Sequence, residues 1–193
     1  LDMERQAMQA MMQHVTGQLA HGARIPVIKS EQAQVLTARA YTAPQVALIA
    51  AAQTPRHGLA TELAYAAGLR AHELLTLRRG EERAADPRPA LASKWQGRNG
   101  VIYTVHGKGG LVREVLLPHA LDERLEAVRL DAPLAITDRG IHYQSHYDIG
   151  GGQRWSNSVS AASERALGWS TGAHGLRHSY AQERMTELQN RGL

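Results

Sequence analysis

The segment Thr171–Met185, TGAHGLRHSYAQERM, places two histidines and an arginine within five residues. These are His174, Arg177 and His178, and Tyr180 follows two positions later. Such groups can bind a phosphate, hold a metal ion or pair with acidic residues along one face of a helix. The segment alone leaves all three interpretations open.

Two more cations, distant in the sequence, could take part in the same chemistry. Arg70 lies in AGLRAHELLTLR, and Lys108 lies in the glycine-rich stretch GKGG. Taken singly, each has a simple structural explanation, such as a surface ion pair or a solvated turn. Together with His174 and Arg177 they supply the groups needed to act on a phosphodiester without a metal. Arginine binds two phosphate oxygens and stabilises a five-coordinate transition state, while histidine and lysine can transfer protons.

Helix signals surround the first of these cations. Thr42 and Gln45 fit a capping box, with a proline in the first turn, and predict a helix start. A second helix is predicted at about 59–67 and ends at Gly68, a residue suited to a helix C-terminus. A third helix is predicted to start near Leu69 and to carry the first arginine.

The pattern then changes to strands. The runs VIYTVH and LVREVLL predict a β-hairpin with residues 107–110 at its tip. A helix is expected at 119–130, irregular structure at 131–155, another helix at 157–167, and a last helix from His174. The expected fold class is therefore α+β, mainly α-helical with a small antiparallel β-sheet.

Composition sets limits on this chain of 193 residues. Its hydrophobic content of 43% allows a packed core, and its formal charge of +4 permits nucleic acid as a partner without demanding it. It has no cysteine, which excludes disulfides and thiolate metal sites. It contains no long apolar run and no signal-peptide pattern. We therefore expect a cytoplasmic protein that has no contact with a membrane.

Three motifs, in this order along the chain, resemble those of the tyrosine recombinases, the phage-integrase-like family of site-specific DNA recombinases. AGLRAHELLTLR resembles the first arginine motif, VHGKGGLVREVLLP the catalytic-lysine hairpin, and HGLRHSYA the His-x-x-Arg box. The resemblance covers roughly residue 42 to the end. It implies the family's catalytic-domain fold for 41–193, with 1–40 as the end of a core-binding region and a linker.

The resemblance also implies a reaction. A tyrosine attacks the scissile phosphate and forms a 3′-phosphotyrosyl link, and a 5′ hydroxyl from a partner strand later reverses this step. The phosphodiester energy is kept in the covalent bond, so no cofactor and no metal is expected. The expected partner is double-stranded DNA at a specific site, with the full-length protein forming a homo-oligomer on it. A bacterial mobile element or phage is the expected source, and the nucleoid the expected place of action.

Four catalytic roles follow from matching positions in the three motifs. The resemblance assigns Arg70 and Arg177 to binding the phosphate. It assigns Lys108 to protonating the leaving 5′ oxygen, and His174 to assisting proton transfer and binding the transition state.

Supporting residues and DNA contacts are further expectations. Glu73 is expected to orient Arg70, and His178 to support the fold or the site. Lys94, Arg98 and Arg113 are candidate DNA contacts, although a solvated surface role fits each of them equally well.

The sequence departs from the family pattern at the nucleophilic tyrosine. Family members carry the tyrosine on a later helix, after a further His or Trp, and only 16 residues follow Arg177 here. Tyr180 occupies the place of an aromatic core residue and is not expected to attack. The other tyrosines match no nucleophile context: Tyr41, Tyr65, Tyr103, Tyr143 and Tyr147. This sequence is therefore expected to be a truncated fragment that binds DNA and does not cleave it.

Two other interpretations remain open at this stage. His142 and His146, with Asp148 nearby, could share a metal if they lay on a helix, but the glycines around them argue against one. A DNA-binding module or decayed recombinase without catalytic activity would show the same motifs. A tyrosine in a later segment, after a His or Trp, distinguishes the recombinase from the binding module.

Overall fold

The computed structural model describes residues 2–26, 39–87 and 92–192. The chain divides into two units, Leu1–Thr37 and Ala38–Leu193. This division falls close to the predicted boundary at residue 40. The assignment of the two parts to a core-binding region and a catalytic domain stays a prediction, and the predicted linker lies largely outside the described residues.

The first unit contains one helix, α1 (Asp2–His14), among its described residues. The chain after this helix is bound to it by glutamine side chains. The amide N–H of Ile25 donates to Gln9 Oε1 at 3.1 Å, and Gln13 Nε2 donates to the Ala23 carbonyl at 2.6 Å. These bonds hold residues 23–25 alongside α1.

The described residues of the second unit form five α-helices. They are α2 (Ala43–Ala51), α3 (Pro55–Ala67), α4 (His119–Glu126), α5 (Gly152–Leu167) and α6 (His174–Gln189). The predicted start of α2 is confirmed, because the Thr42 N–H donates to Gln45 Oε1 at 2.8 Å. The predicted ends of α3 and α5 are confirmed as well. Gly68 and Gly168 follow these helices in the left-handed conformation, with φ of 61° and 77°.

A three-stranded antiparallel sheet carries the glycine-rich hairpin. Its strands are β1 (Arg78–Arg79), β2 (Val101–His106) and β3 (Val112–Leu117), in that spatial order. The predicted hairpin is confirmed, with Val101 opposite Leu117 and His106 opposite Val112. A short 3₁₀ turn, Lys108–Gly110, forms its tip.

A second hairpin corrects the prediction of irregular structure at 131–155. Strands β4 (Arg129–Asp138) and β5 (Ile141–Tyr147) pair antiparallel, and α5 begins within the same range. Most of β4 is exposed, it contains Pro133, and its pairing with β5 is irregular between Arg129 and Leu134, features that weaken a strand signal. The described residues thus form two small sheets where one was expected.

The prediction of a third helix that begins near Leu69 is also wrong. The segment forms only a four-residue 3₁₀ turn, Glu73–Thr76, flanked by non-helical chain. Four leucines of this segment are buried: Leu69, Leu74, Leu75 and Leu77. A chain buried on all sides produces dense apolar spacing without being a helix, and here the turn passes through the interior.

The hydrophobic core of the second unit lies between the helices and the two sheets. Its largest fully buried side chains include Trp155, Tyr103, Tyr147, Leu63 and Leu176. The indole N–H of the core residue Trp155 has a partner, because Trp155 Nε1 donates to Thr61 Oγ1 at 3.1 Å. In the part of the chain that the structure describes, no helix combines the length and apolar character needed to cross a membrane.

Candidate functional site

Arg70 lies just after the C-terminus of α3, where Gly68 turns the chain and Leu69 is buried. Its backbone N–H donates to Glu73 Oε2 at 2.8 Å, and its Nη1 donates to Glu73 Oε1 at 3.0 Å. The Arg70 side chain remains 35% exposed. One side of the guanidinium is therefore fixed by the carboxylate, while the rest stays accessible to a ligand.

A second arginine binds the same carboxylate. Arg113, on β3, donates from Nη2 to Glu73 Oε2 at 2.6 Å and from Nε to Glu73 Oε1 at 3.2 Å. The Glu73 side chain is fully buried. Burial alone would raise its pKa, but the hydrogen bonds and charges of Arg113 and Arg70 outweigh burial and lower that pKa below its usual range. Glu73 is thus an ionised carboxylate that joins two guanidinium groups.

The third arginine reaches the same place from α6. Arg177 Nη1 donates to the Gly68 carbonyl at 2.6 Å, and Arg113 Nη2 lies 3.4 Å from the same oxygen. Burial, followed by the positive charges of Arg70 and Arg113, lowers the pKa of Arg177. We call Arg70, Arg113, Arg177 and Glu73 the arginine cluster. Three positive charges against one negative charge leave it with a net charge of +2, which favours an anion.

His174 is the first residue of α6 and lies exposed, one helical turn before His178. The two imidazole rings meet edge to face, with centroids 5.0 Å apart. Burial lowers the pKa of His174, and the positive charges of His178, Arg177 and Arg70 lower it further. A neutral imidazole carries one N–H donor and one acceptor, so His174 can both donate to a phosphate oxygen and accept a proton.

Lys108 lies at the exposed tip of the β2–β3 hairpin, and the base of that tip lies against the cluster. A Cβ atom placed on Gly107 would lie 3.6 Å from Glu73 Oε1. The Gly107 N–H donates to the Leu111 carbonyl at 2.6 Å and closes the tip. Within the described residues, the Lys108 ammonium group makes no hydrogen bond or ion pair. The lysine is therefore attached next to the cluster without being fixed to it.

The three candidate DNA contacts all bind carboxylates of the chain itself. Lys94 Nζ lies 3.1 Å from Glu114 Oε2, and Arg98 donates to both oxygens of Glu187, at 2.8 and 2.9 Å. Arg113 binds Glu73, a role that the sequence analysis missed. No local signal pointed to this role, because Glu73 lies 40 positions away along the chain. Contact of these three residues with DNA stays a prediction.

Comparison with known proteins shows which solved structure this fold resembles. No family model matches the sequence, and no curated protein matches it. Among solved structures, the chain is similar to the XerH site-specific recombinase, determined in a pre-cleavage complex with its difH substrate, at a TM-score of 0.52 and 18% identity. The chain shares the fold of a site-specific recombinase. The match spans 98% of this chain and 54% of the XerH chain, so the chain corresponds to about half of that protein.

This likeness bears on fold and not on individual residues. It supports the recombinase-like α+β fold that the three motifs led us to expect. The two arginines of those motifs belong to the arginine cluster, beside the base of the lysine hairpin, and their charges act on the nearby His174. The roles assigned to Arg70, Lys108, His174 and Arg177 remain predictions.

Tyr180 packs against Gly68, whose carbonyl accepts a hydrogen bond from Arg177. A Cβ atom placed on Gly68 would lie 2.6 Å from Tyr180 Cδ1, so the ring fills the space above this residue. On its other side, the Arg98 guanidinium carbon lies 4.9 Å from the ring centroid. Because Arg177 binds the Gly68 carbonyl, the ring helps to fix the peptide on which that arginine is held.

The two histidines considered as metal ligands lie on β5. His142 Nδ1 lies 2.9 Å from Thr137 Oγ1 on the neighbouring strand, and His146 is four residues further along β5. In the residues that the structure describes, no group of three or more His, Asp or Glu side chains is arranged to hold a metal. The helical arrangement on which the metal interpretation depended is not formed.

Replacing Gly68 with alanine tests the packing around the cluster. The left-handed φ of 61° and the contact with Tyr180 should together lower the free energy of unfolding by about 2 kcal/mol. Gly168 is a matched control, because its φ is 77° and no atom lies within 4 Å of an added Cβ. Gly168→Ala should cost about 1 kcal/mol, from backbone strain alone. Urea unfolding of both variants measures the difference, and equal losses would show that the Tyr180 contact is unimportant.

Proposed function

We propose that this chain is the DNA-cleaving and rejoining domain of a site-specific DNA recombinase of the tyrosine type. The observation that supports it best is the arginine cluster, which collects three guanidinium groups around one buried carboxylate and carries a net charge of +2. The likeness in fold to a recombinase solved with DNA is the second support. The proposed source is a bacterial mobile element or phage.

The proposed ligand of the cluster is the scissile phosphate of double-stranded DNA. Arg70 and Arg177 would bind its non-bridging oxygens, because guanidinium forks match phosphate geometry and stay charged at any working pH. Glu73 would hold Arg70 in place, and Arg113 would keep that carboxylate ionised. Rigid placement matters, because preorganised charges stabilise the transition state without reorganising during the reaction.

The proposed reaction is a reversible transesterification. A tyrosine oxygen forms a bond to phosphorus as the bond from phosphorus to the 5′ oxygen breaks, which yields a 3′-phosphotyrosyl link and a 5′ hydroxyl. Lys108 would supply the proton to the leaving oxygen, and its free position on the hairpin tip leaves it able to reach that oxygen. His174 would donate a hydrogen bond to the phosphate and assist proton transfer. Attack by a 5′ hydroxyl of another strand reverses these steps.

None of the six tyrosines in this chain is proposed as the nucleophile. Burial raises the pKa of the hydroxyls of Tyr65, Tyr103, Tyr143 and Tyr147, which makes their reactive phenolate forms less accessible. Tyr41 is only 2% exposed. The attacking tyrosine is proposed to lie outside these 193 residues, and the working assembly to be a homo-oligomer on DNA.

The experiment that tests this function combines binding with a search for a covalent product. The chain is titrated with labelled duplex DNA at several salt concentrations, and the mixtures are then analysed on denaturing gels. Binding should weaken steeply as salt rises, because phosphate contacts release counterions. No denaturant-resistant protein–DNA band should form.

Two outcomes contradict the proposal. Absence of salt-dependent binding would remove DNA as the partner. A covalent band would show that a tyrosine of this chain does attack, and mass spectrometry of the adduct would then identify it.

A further inference from the structure

A second group of cations lies beside the Glu73–Thr76 turn, on the side of β5. A cleft of about 310 Å³ opens there between β5 and the three-stranded sheet. Its lining residues are Thr76, Arg78, Arg83, His106 and 142–144. None of its cations belongs to the arginine cluster, and the proposed function does not use them.

Strand pairing places these cations together. Arg78 lies opposite Thr104 in the β1–β2 ladder, so its side chain shares a sheet face with Thr104 and with His106 two residues further. Arg83 reaches the same place and donates from Nε to Thr104 Oγ1 at 2.9 Å. Its Nη2 donates to the carbonyls of Thr76 and Thr104, at 2.6 and 2.7 Å.

The cleft has positive charge that no carboxylate of its lining offsets. All the acceptors of Arg83 are neutral, and within the described residues Arg78 makes no hydrogen bond or ion pair. Burial and the positive charge of Arg78 lower the pKa of Arg83 to about 10. Outside the lining, Glu82 binds Arg129, and Asp86 accepts a hydrogen bond from the Val112 N–H. Burial and the charges of Arg83 and Arg78 lower the pKa of His106, against a smaller opposing effect of Asp86. The arginine cluster has Glu73, but this cleft has no internal counter-ion.

The chemistry of the lining fits one class of anion. Two guanidinium groups with an adjacent imidazole can donate several hydrogen bonds to the oxygens of a phosphate. We propose that this cleft binds a phosphate group and that, on DNA, it takes a backbone phosphate other than the one bound by Arg70 and Arg177. The DNA part of this proposal rests on the proposed function.

Two short connections join the cleft to the arginine cluster. The 3₁₀ turn has Glu73 at its first residue and Thr76, which lines the cleft, at its last. The β2–β3 hairpin has His106 in the cleft, followed directly by Gly107 at the base of the lysine tip. A phosphate bound here would fix the register of the DNA backbone next to the reacting phosphate, as phosphate contacts commonly do.

Arg78 is the residue to change, because Arg83 also holds backbone carbonyls and its loss would disturb the fold. Arg78→Gln removes the unpaired charge, and Arg78→Lys keeps the charge but lacks the planar guanidinium group. Arg154→Gln is the matched control, since Arg154 is exposed on α5 and its loss changes the net charge equally. Urea unfolding of each variant establishes that its fold is retained.

The first measurement uses inorganic phosphate alone. NMR of the His106 ring is followed while phosphate replaces chloride at constant ionic strength. The resonances should shift in the unmodified chain and in Arg154→Gln, and should not shift in Arg78→Gln. Absence of a shift in the unmodified chain would overturn the proposal.

The second measurement uses duplex DNA and the salt dependence of its affinity. Loss of one phosphate contact reduces the slope of log affinity against log salt by about 0.9. Arg78→Gln should show this reduction, while Arg78→Lys and Arg154→Gln should keep the original slope. Phosphate-induced shifts with an unchanged slope in Arg78→Gln would overturn the assignment to DNA and make the cleft a site for free phosphate. A chain that takes phosphate in the cleft but binds no DNA would contradict the proposed function and uphold the cleft as a phosphate site.

Discussion

Replacing Glu73 with glutamine should lower the free energy of unfolding of the chain by about 3 kcal/mol. The side chain is fully buried and joins Arg70 to Arg113. Glutamine has nearly the same shape, so the loss arises from charge. Without the carboxylate, the guanidinium groups of Arg70, Arg113 and Arg177 repel one another with only neutral acceptors between them. Urea unfolding followed by circular dichroism measures the change.

An exposed ion pair provides the control for this variant. Glu62 binds Arg124 at the surface, where the two side chains are 33% and 51% exposed. Glu62→Gln removes the same charge and should cost less than about 1 kcal/mol, because solvent screens exposed pairs. Similar losses in the two variants would mean that Glu73 does not hold the cluster together.

The stabilisation by Glu73 should also depend on pH with a defined sign. The pKa of Glu73 in the folded chain lies below its ordinary value of 4.5. A group with a lowered folded pKa stabilises the fold above its unfolded pKa, and this contribution is lost as pH falls towards the folded value. The gap in stability between the unmodified chain and Glu73→Gln should therefore be full near neutral pH and shrink below about pH 4.5. A gap that grows on acidification would contradict the assignment of an ionised Glu73.

Local signals were sufficient for the parts of the fold that depend on few neighbours. The start of α2 could be predicted because Thr42 and Gln45 cap it within four residues. The ends of α3 and α5 could be predicted because Gly68 and Gly168 tolerate the left-handed conformation. The β2–β3 hairpin could be predicted because β-branched runs flank a glycine-rich tip.

The missed elements depend on the rest of the structure. Strand β4 is largely exposed and contains Pro133, which weakens the signal for a strand, and its turn to β5 places Arg139 at a φ of 51°. Arginine gives none of the turn signal that asparagine or glycine would have given at that position. The segment around Arg70 forms a 3₁₀ turn and not the predicted helix, and the burial of its leucines depends on elements distant in the sequence.

Prediction of the candidate site from the sequence was limited in the same way. The motifs could supply candidate site cations, since each motif is a few residues long. The link between Glu73 and Arg113 spans 40 positions, and no local pattern connects them. The sequence predicts Arg113 as a DNA contact, and in the structure its Nε and Nη2 donate to the buried carboxylate of Glu73. Its effect on DNA is therefore expected to act through Glu73 and Arg70.

Removing the proposed phosphate-binding arginines should weaken duplex DNA binding by about 10- to 100-fold, the equivalent of one charged hydrogen-bonded contact. Arg70→Gln and Arg177→Gln are measured singly and together by fluorescence anisotropy across a range of salt. If both arginines bind one phosphate, each single change should reduce the salt slope by about 0.9, and the double change should reduce it little further. Their effects on affinity should then be non-additive, because they share a ligand.

A variant in the phosphate cleft supplies the comparison for this double-mutant cycle of Arg70 and Arg177. Arg78 is proposed to bind a different phosphate, so Arg78→Gln combined with Arg177→Gln should reduce the slope by about twice the single value. Additive slopes for Arg70 and Arg177 would place them on separate phosphates and contradict a shared clamp. An unchanged affinity in the double Arg70 and Arg177 variant, with its fold retained in urea unfolding, would remove the cluster from DNA binding altogether. The cycle therefore separates a site in which two arginines bind one phosphate from a surface that is merely basic.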